Sequence, residues 1–276
     1  MKMDFWMDHI PLWGVFSLTV ACVFLVICIG TFFGLRINRR PDHEKEAPLG
    51  VIVGASLALV GFMLAFSFSI TAQVFQSRRQ LLLDEVNAIG TAYLRAGLLS
   101  EPHGSEIRNL LRQYVDLRVS LVNVSRLQNP EKFKKAFSDS ETLQDKMWSH
   151  AVAISQADRH SPIDALFIDS LNNMIDLQTS RITTASYRLP RIIWHAIYFI
   201  TGISMFMVGY QIGLSGKSNL KVGILLALTF SAVLYLMVDL DRATEGHIRL
   251  SQKPMIELQQ KLQMPAMETQ YEQIPK

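Results

Sequence analysis

The sequence predicts an all-α membrane protein with four spans, and three observations support that fold class. The hydrophobic fraction is 49% and the charged fraction only 18%, below the roughly 25% of soluble chains. The apolar residues are gathered into four long blocks. No stretch alternates apolar and polar residues for long enough to indicate a β-strand. The composition excludes a disordered chain, and with only Cys22 and Cys28 it excludes a disulfide scaffold.

The four apolar blocks are long enough to cross a bilayer as helices, which takes about 20 residues. The first and second hold about 26 and 31 residues without a charged side chain, and the fourth holds about 17, near the lower limit. The third contains one ionisable residue, His195. The blocks are residues 10–35, 47–77, 192–216 and 222–238. We therefore predict four transmembrane helices.

The spans form two pairs separated by a polar middle region. Residues 1–77 are predicted to hold the first pair and residues 191–238 the second. Between them, residues 78–190 carry apolar side chains at spacings of three and four, which is typical of amphipathic helices. We predict a helical cytosolic domain there, and a C-terminal cytosolic tail over residues 239–276.

Helix start signals divide the middle region. Three polar residues stand where a helix would begin, next to a proline or a glycine. They are Ser105 after Gly104, Asn129 before Pro130, and Ser161 before Pro162. Apolar stripes lie over residues 82–96, before the first of these signals, and over residues 110–124 and 166–182; the last stripe includes Leu166, Leu171 and Ile175.

The basic residues near the predicted spans indicate the orientation. About nine lie in the N-terminal tail, beside the middle region and in the C-terminal tail, against about six on the other side, which favours cytoplasmic termini. The basic residues of the first connection favour the opposite orientation. Its residues Arg36, Arg39, Arg40 and Lys45, taken alone, would place it in the cytoplasm.

The second block carries the candidate functional residues. It is longer than a crossing needs, so its helix is predicted to protrude by about 15 Å. Ala58, Phe62 and Phe66 recur at spacings of four and therefore share one face. Ordinary packing is one interpretation of such a stripe. The other is a hydrophobic constriction formed by several copies around an axis, which can gate a pore.

Two segments resemble a known family. Phe62-Met-Leu-Ala-Phe66, followed twelve residues later by Arg78 and Arg79, resembles the second transmembrane helix of bestrophins. Residues 75–95, FQSRRQLLLDEVNAIGTAYLR, look like the hallmark of the bacterial bestrophin-like family. The family's order of two spans, helical region, two spans and tail covers nearly the whole chain.

The resemblance implies a homo-oligomeric channel, a pentamer in bestrophins, that passes small inorganic anions across the bacterial inner membrane. Carried over by position, the neck residues are Ala58, Phe62 and Phe66, and Arg78 and Arg79 supply a possible vestibule charge. Ala58 is smaller than the bulky residue of the first bestrophin ring. The lipid bilayer and further copies of the chain are the expected partners.

The resemblance also raises a calcium candidate after the last span. Animal bestrophins carry an acidic cluster there, and Asp239, Asp241 and Glu245 stand in that place. Calcium takes six to eight oxygen ligands, which three carboxylates without a recognisable loop do not supply. Otherwise the sequence predicts no metal site and no cofactor.

No catalytic or nucleic-acid-binding pattern is present in the sequence. The seven histidines are scattered, and no phosphate-binding glycine loop or zinc-ligand spacing occurs. The small net charge of +3 is not gathered into a basic stripe. We predict an anion channel and no enzyme. The alternative is a non-conducting scaffold or sensor whose amphipathic stripes over residues 110–124 and 166–182 recruit a partner.

Overall fold

A computed structural model describes the chain over residues 10–39, 49–121, 130–216, 220–242 and 248–264. Within these ranges the regular secondary structure is helical, as the sequence predicts. The helices are α1 (Leu12–Asn38), α2 (Leu49–Ala96), α3 (His103–Ser120), α4 (Pro130–Ala157), α5 (Pro162–Ala185), α6 (Arg191–Leu214), α7 (Leu220–Asp241) and α8 (Lys253–Gln263). In the described ranges α1, α2, α6 and α7 are long and apolar enough to cross a membrane.

The chain divides into two compact units. The membrane unit, Met1–Phe75 with Tyr187–Arg249, holds α1, the first part of α2, α6 and α7. The helical unit, Gln76–Ser186 with Leu250–Lys276, holds the rest of α2 together with α3, α4, α5 and α8.

The second helix is longer than the sequence predicted. A membrane helix over about 31 residues and a separate amphipathic stripe from Leu82 onward were expected, whereas α2 is one helix of 48 residues. Its sequence contains no proline, so nothing removes a backbone hydrogen bond between the two segments. At 1.5 Å per residue α2 is about 72 Å long, more than twice the thickness of the hydrocarbon layer.

In the membrane unit, α1 and α6 touch through two pairs of glycines. Gly30 and Gly34 of α1 face Gly209 and Gly213 of α6. A Cβ atom added at Gly209 would lie 2.1 Å from the carbonyl oxygen of Ile27, and one at any of the other three would lie 2.2–2.3 Å from a backbone oxygen of the facing helix. Small residues four apart let membrane helices approach backbone to backbone. Only glycine fits at these positions.

An apolar cluster joins the four helices of the membrane unit. Val60 and Leu64 of α2 belong to it with Trp194 and Ile197 of α6 and Leu234 of α7. All five are buried. One side of α2 is thereby fixed against the chain, which leaves its other side free of this packing.

The helical unit has one apolar core. Its fully buried members come from four helices and include Ile89, Leu111, Met147 and Leu171. The short helix α8 lies within the predicted tail and adds Met255, Leu258 and Leu262 to this core. Their spacing of three and four is the amphipathic pattern that indicates a helix there.

The predicted apolar stripe of α5 is displaced by about one residue. Leu166 is 51% exposed, whereas Phe167 and Met174 are fully buried. Leu171 belongs to the buried face, as predicted. Apolar side chains at neighbouring positions allow two overlapping stripes in this segment, and only packing against the other helices selects between them.

Two predicted helix starts agree with the structure. α5 begins after Ser161, whose Oγ accepts a hydrogen bond from the backbone N–H of Asp164 at 3.2 Å. This is a side-chain N-cap. α4 begins at Pro130. The cap predicted for it, Asn129, lies outside the described residues.

The prediction that Ser105 caps α3 is wrong. The helix begins at His103, which places Ser105 inside the first turn. The carboxylate of Glu101 takes the capping role, because Oε2 accepts from the backbone N–H of Ser105 at 3.3 Å and from its hydroxyl at 2.6 Å.

A charged network lies inside the helical unit. Glu85 of α2 is completely buried and pairs with Arg118, whose Nη2 lies 3.1 Å from Oε1, and with Arg181. The hydroxyl of Tyr114 donates to Glu85 at 3.1 Å. Burial and then the neighbouring carboxylate raise the pKa of Tyr114 above its ordinary value, so the hydroxyl keeps the proton it donates. Within this network each buried charge therefore has a partner.

Candidate functional site

The predicted neck residues lie together on α2 in the membrane unit, on the side that the described residues leave uncovered. Phe62 is 67% exposed and Phe66 is 57% exposed, and Ala58, one turn earlier, is exposed as well. The two rings stack with their centroids 6.3 Å apart and their planes 13° from parallel. The structure thus places all three side chains on one open face.

The opposite side of α2 is packed against the chain. Val60, Leu64, Ser67 and Thr71 are buried and follow one another at spacings of four, three and four. The hydroxyl of Thr71 donates to the backbone carbonyl of Ser67 at 2.8 Å, so this polar group is satisfied within the helix. Packing of this face turns the phenylalanines outward.

The chain covers α2 less than it covers its other spans. In the most apolar 18-residue stretch of α2, 17% of the residues are buried, against 28% in α1, 33% in α6 and 39% in α7. The described part of the chain therefore leaves most of the membrane surface of α2 uncovered.

The character of the open face changes along α2. Ser69 and Gln73 follow Phe66 at spacings of three and four and are exposed. A face that is aromatic at Phe62 and Phe66 therefore becomes polar, without charge, within two helical turns.

The two arginines that follow on α2 have different surroundings in the helical unit. Arg78 is buried, and its Nε donates to the backbone carbonyl of Thr184 at 3.4 Å. Arg79 is exposed. Consecutive residues on a helix lie about 100° apart around the axis, and for that reason the two adjacent arginines do not act as one charged pair.

The acidic residues at the end of α7 bind backbone groups. Asp241 Oδ1 accepts a hydrogen bond from the N–H of Leu189 at 2.9 Å, and Asp239 Oδ2 accepts from the N–H of Ile248 at 3.2 Å. Both aspartates are buried in the membrane unit. Glu245, the third residue of the weak calcium candidate, lies outside the described residues, so this candidate stays untested.

Comparison with known proteins gives the family. The chain matches the bestrophin-like domain over residues 21–255, most of its length. It belongs to the bestrophin-like family. None of the curated protein sequences compared with this bestrophin-like chain matches it significantly.

Solved structures share the bestrophin-like fold. A bacterial bestrophin homologue from Klebsiella pneumoniae, crystallised with a point mutation, superposes with a TM-score of 0.64 at 14% identity, over 89% of this chain and 97% of that one. A membrane protein crystallised as a point variant superposes with a TM-score of 0.63 at 13% identity, over 91% of this chain and 97% of that one. At such identities the likeness shows the fold alone.

The bestrophin-like chain also brings together residues that are scattered in the sequence. The two arginines that pair with Glu85 lie 33 and 96 residues away from it. His103 and His150 are 47 residues apart, yet their Nδ1 atoms lie within 3.0 Å. For this histidine pair, the local sequence contains one indication of a cluster: the spacing of His103 and Glu106, which places both on the same side of a helix.

Proposed function

We propose that this bestrophin-like chain forms a homo-oligomeric channel for small inorganic anions. The pore neck is lined by Phe62 and Phe66 of α2, with Ala58 one turn earlier. Bestrophins are anion channels, and the family and fold of this chain support the same class. The proposed assembly is a pentamer, as in bestrophins, embedded in the bacterial inner membrane.

The outward exposure of the stacked pair Phe62 and Phe66 carries this proposal. Several copies arranged about an axis would bring these faces together and cover the span that the chain itself covers least. Gly54 and Gly61 leave room for such a neighbour. A Cβ atom added at either would meet no described atom of the chain within 4 Å, and small residues permit close helix approach.

Phenylalanine rings suit anions for an electrostatic reason. The edge of an aromatic ring carries partial positive charge and its face partial negative charge. Edges turned toward the axis therefore stabilise a partly dehydrated anion, whereas faces attract cations. A narrow apolar ring also sheds water, which closes a pore. Because Ala58 is small, the proposed neck has two narrow rings, at Phe62 and Phe66.

Beyond the neck, we assign the attraction of anions to Arg79 and no longer to Arg78. An exposed guanidinium raises the local concentration of anions through its surface potential. Arg79 is exposed, whereas Arg78 is buried against the carbonyl of Thr184. The buried residue contributes to the packing of the helical unit.

The proposed orientation places both termini and the helical unit in the cytoplasm. It rests on the excess of basic residues beside the middle region and the tail. Tryptic cleavage of intact spheroplasts tests it. Protection of the helical unit from added trypsin is expected, and its cleavage would contradict the orientation.

Chloride flux into proteoliposomes tests conduction. The purified chain, reconstituted into vesicles loaded with a chloride-sensitive dye, should admit chloride faster than empty vesicles. The double variant Phe62→Ala/Phe66→Ala should conduct several-fold faster, because removing the apolar rings lowers the barrier to a hydrated ion. Absence of flux in both wild type and double variant would contradict the channel.

Phe68→Ala provides a matched control for the neck. Phe68 is also exposed on α2 in the membrane unit, but two residues from Phe66 it points to another side of the helix. Its removal should leave the flux at the wild-type rate. An equal acceleration by Phe68→Ala would show that loss of packing, and not loss of the neck, explains the double variant.

Exposed apolar side chains in the helical unit favour the second candidate, a non-conducting scaffold or sensor. Trp148 and Val152 of α4 and Ile163 and Leu166 of α5 are exposed, and exposed apolar patches mark partner surfaces. Light scattering of the chain in detergent separates the two functions. Five copies support the channel, whereas a monomer or dimer supports the scaffold.

A further inference from the structure

Two histidines meet in the helical unit, where the first turn of α3 lies against α4. Nδ1 of His103 lies 3.0 Å from Nδ1 of His150, and the rings meet edge to face with their centroids 5.3 Å apart. His103 is the first residue of α3, and His150 lies in the last third of α4. The pair therefore stands at the end of the two helices that is remote from the segment connecting them.

A carboxylate lies beside the two imidazoles. Glu106 lies one turn after His103 on the same side of α3, and its Oε2 lies 3.4 Å from Nε2 of His150. One ligand atom from each of the three residues lies within 4.8 Å of the others. The side chain of His150 is 23% exposed and that of Glu106 is 53% exposed, so an ion has a path from solvent.

We propose that His103, Glu106 and His150 bind one divalent transition-metal ion of the zinc class. Two imidazoles and a carboxylate are ligands that zinc takes in proteins. Zinc–nitrogen bonds of about 2.0–2.1 Å place two tetrahedral nitrogen ligands about 3.3 Å apart, close to the 3.0 Å between the Nδ1 atoms. Calcium and magnesium prefer oxygen ligands, so the imidazoles select against them.

Binding requires a small rearrangement of one side chain. His150 faces His103 through Nδ1 and Glu106 through Nε2, and an imidazole gives one nitrogen to one ion. Glu106, the most exposed of the three, turns its carboxylate toward the Nδ1 pair. Its rotatable bonds allow this without backbone movement. Water fills the remaining position.

The local charge permits a cation despite the helix dipole. The N-terminus of α3 carries the positive end of that dipole. The carboxylate of Glu106 lies in the first turn of α3, and that of Glu101, which precedes the helix, accepts from the N–H of Ser105; both offset the dipole. A bound ion cross-links residues 47 positions apart and so stabilises the pairing of α3 with α4. This role does not depend on anion conduction.

Zinc titration of the full-length chain tests the site. The protein is purified in detergent without a polyhistidine tag, stripped with EDTA and titrated with Zn²⁺ by calorimetry. One ion per chain is expected, with a Tm that rises by several degrees at saturation, because an ion that binds the folded state stabilises it. A wild-type chain that binds no zinc would overturn the proposal and leave an ordinary hydrogen-bonded histidine pair.

Variants identify the ligands. His103→Ala and His150→Ala should each lose the heat of binding, and Glu106→Gln should weaken it. His160→Ala is the matched control, because His160 is exposed between α4 and α5 and its removal should leave zinc binding unchanged. Retained binding in both ligand variants, with circular dichroism confirming that they fold, would overturn the assignment.

X-ray absorption at the zinc edge makes the test independent of how the variants fold. The zinc-loaded wild-type chain should show scattering from two imidazoles together with oxygen ligands. A spectrum without imidazole scattering would overturn the proposal even if every variant failed to fold.

Discussion

The membrane unit and the helical unit are each stabilised internally by a different kind of interaction. In the membrane unit, backbones touch where Gly34 of α1 meets Gly213 of α6. In the helical unit, Glu85 is buried between two arginines. Lipid tails are as apolar as a protein core, so membrane helices gain stability from close fit more than from burial. The helical unit contains charges that would be costly to bury without their partners.

Among the substitutions that test this comparison, Glu85→Ala should lower stability the most. It leaves Arg118 and Arg181 as buried charges without their carboxylate, which should lower the free energy of unfolding of the helical unit by about 3–5 kcal/mol. Hydrogen exchange of helical-unit peptides measures this loss. Glu141→Ala, at an exposed position of α4, is the control and should change it by less than about 0.5 kcal/mol. Equal losses would contradict a structural role for the network.

Gly209→Ala should destabilise the membrane unit, by less than Glu85→Ala destabilises the helical unit. The added Cβ would lie 2.1 Å from the carbonyl oxygen of Ile27, so α1 and α6 must separate, at a cost of about 1–3 kcal/mol. Faster hydrogen exchange should appear in α1 and α6 peptides and not in the helical unit. Gly202→Ala on the same helix is the control, since no described atom lies within 4 Å of its added Cβ. A loss of stability in the control would refute the contact argument.

Ser161→Ala should have the smallest effect. It removes the side-chain cap of α5 and should destabilise the helical unit by about 1 kcal/mol. In the membrane unit, α1 and α6 begin after prolines without a side-chain cap, so the comparison extends to helix ends. Ser138→Ala, exposed on α4, is the control. A thermal melt in which both variants match wild type would show that the cap contributes nothing measurable.

Local sequence features were enough to predict the membrane spans. The orientation of their faces and the contacts between distant residues depend on long-range packing. About 20 apolar residues in a row have few interpretations besides a membrane helix, and the spacing of Phe62 and Phe66 is enough to place them on one face. Which way that face turns depends on what Val60 and Leu64 pack against, and no local pattern contains that information. The meeting of His103 with His150 is invisible to sequence reasoning for the same reason.

The contact between α1 and α6 also has a consequence for synthesis of the chain. About 150 residues separate Asn38, where α1 ends, from Arg191, where its partner begins, so at about 5–20 residues per second α1 waits about 8–30 s in the bilayer. A span that waits must be stable in lipid alone. The most apolar 18-residue stretches of α1 and α2 are more hydrophobic than that of α6, which is made when α1 is already present. Of these three helices, α6 therefore depends most on packing, which it gains against the glycines of α1.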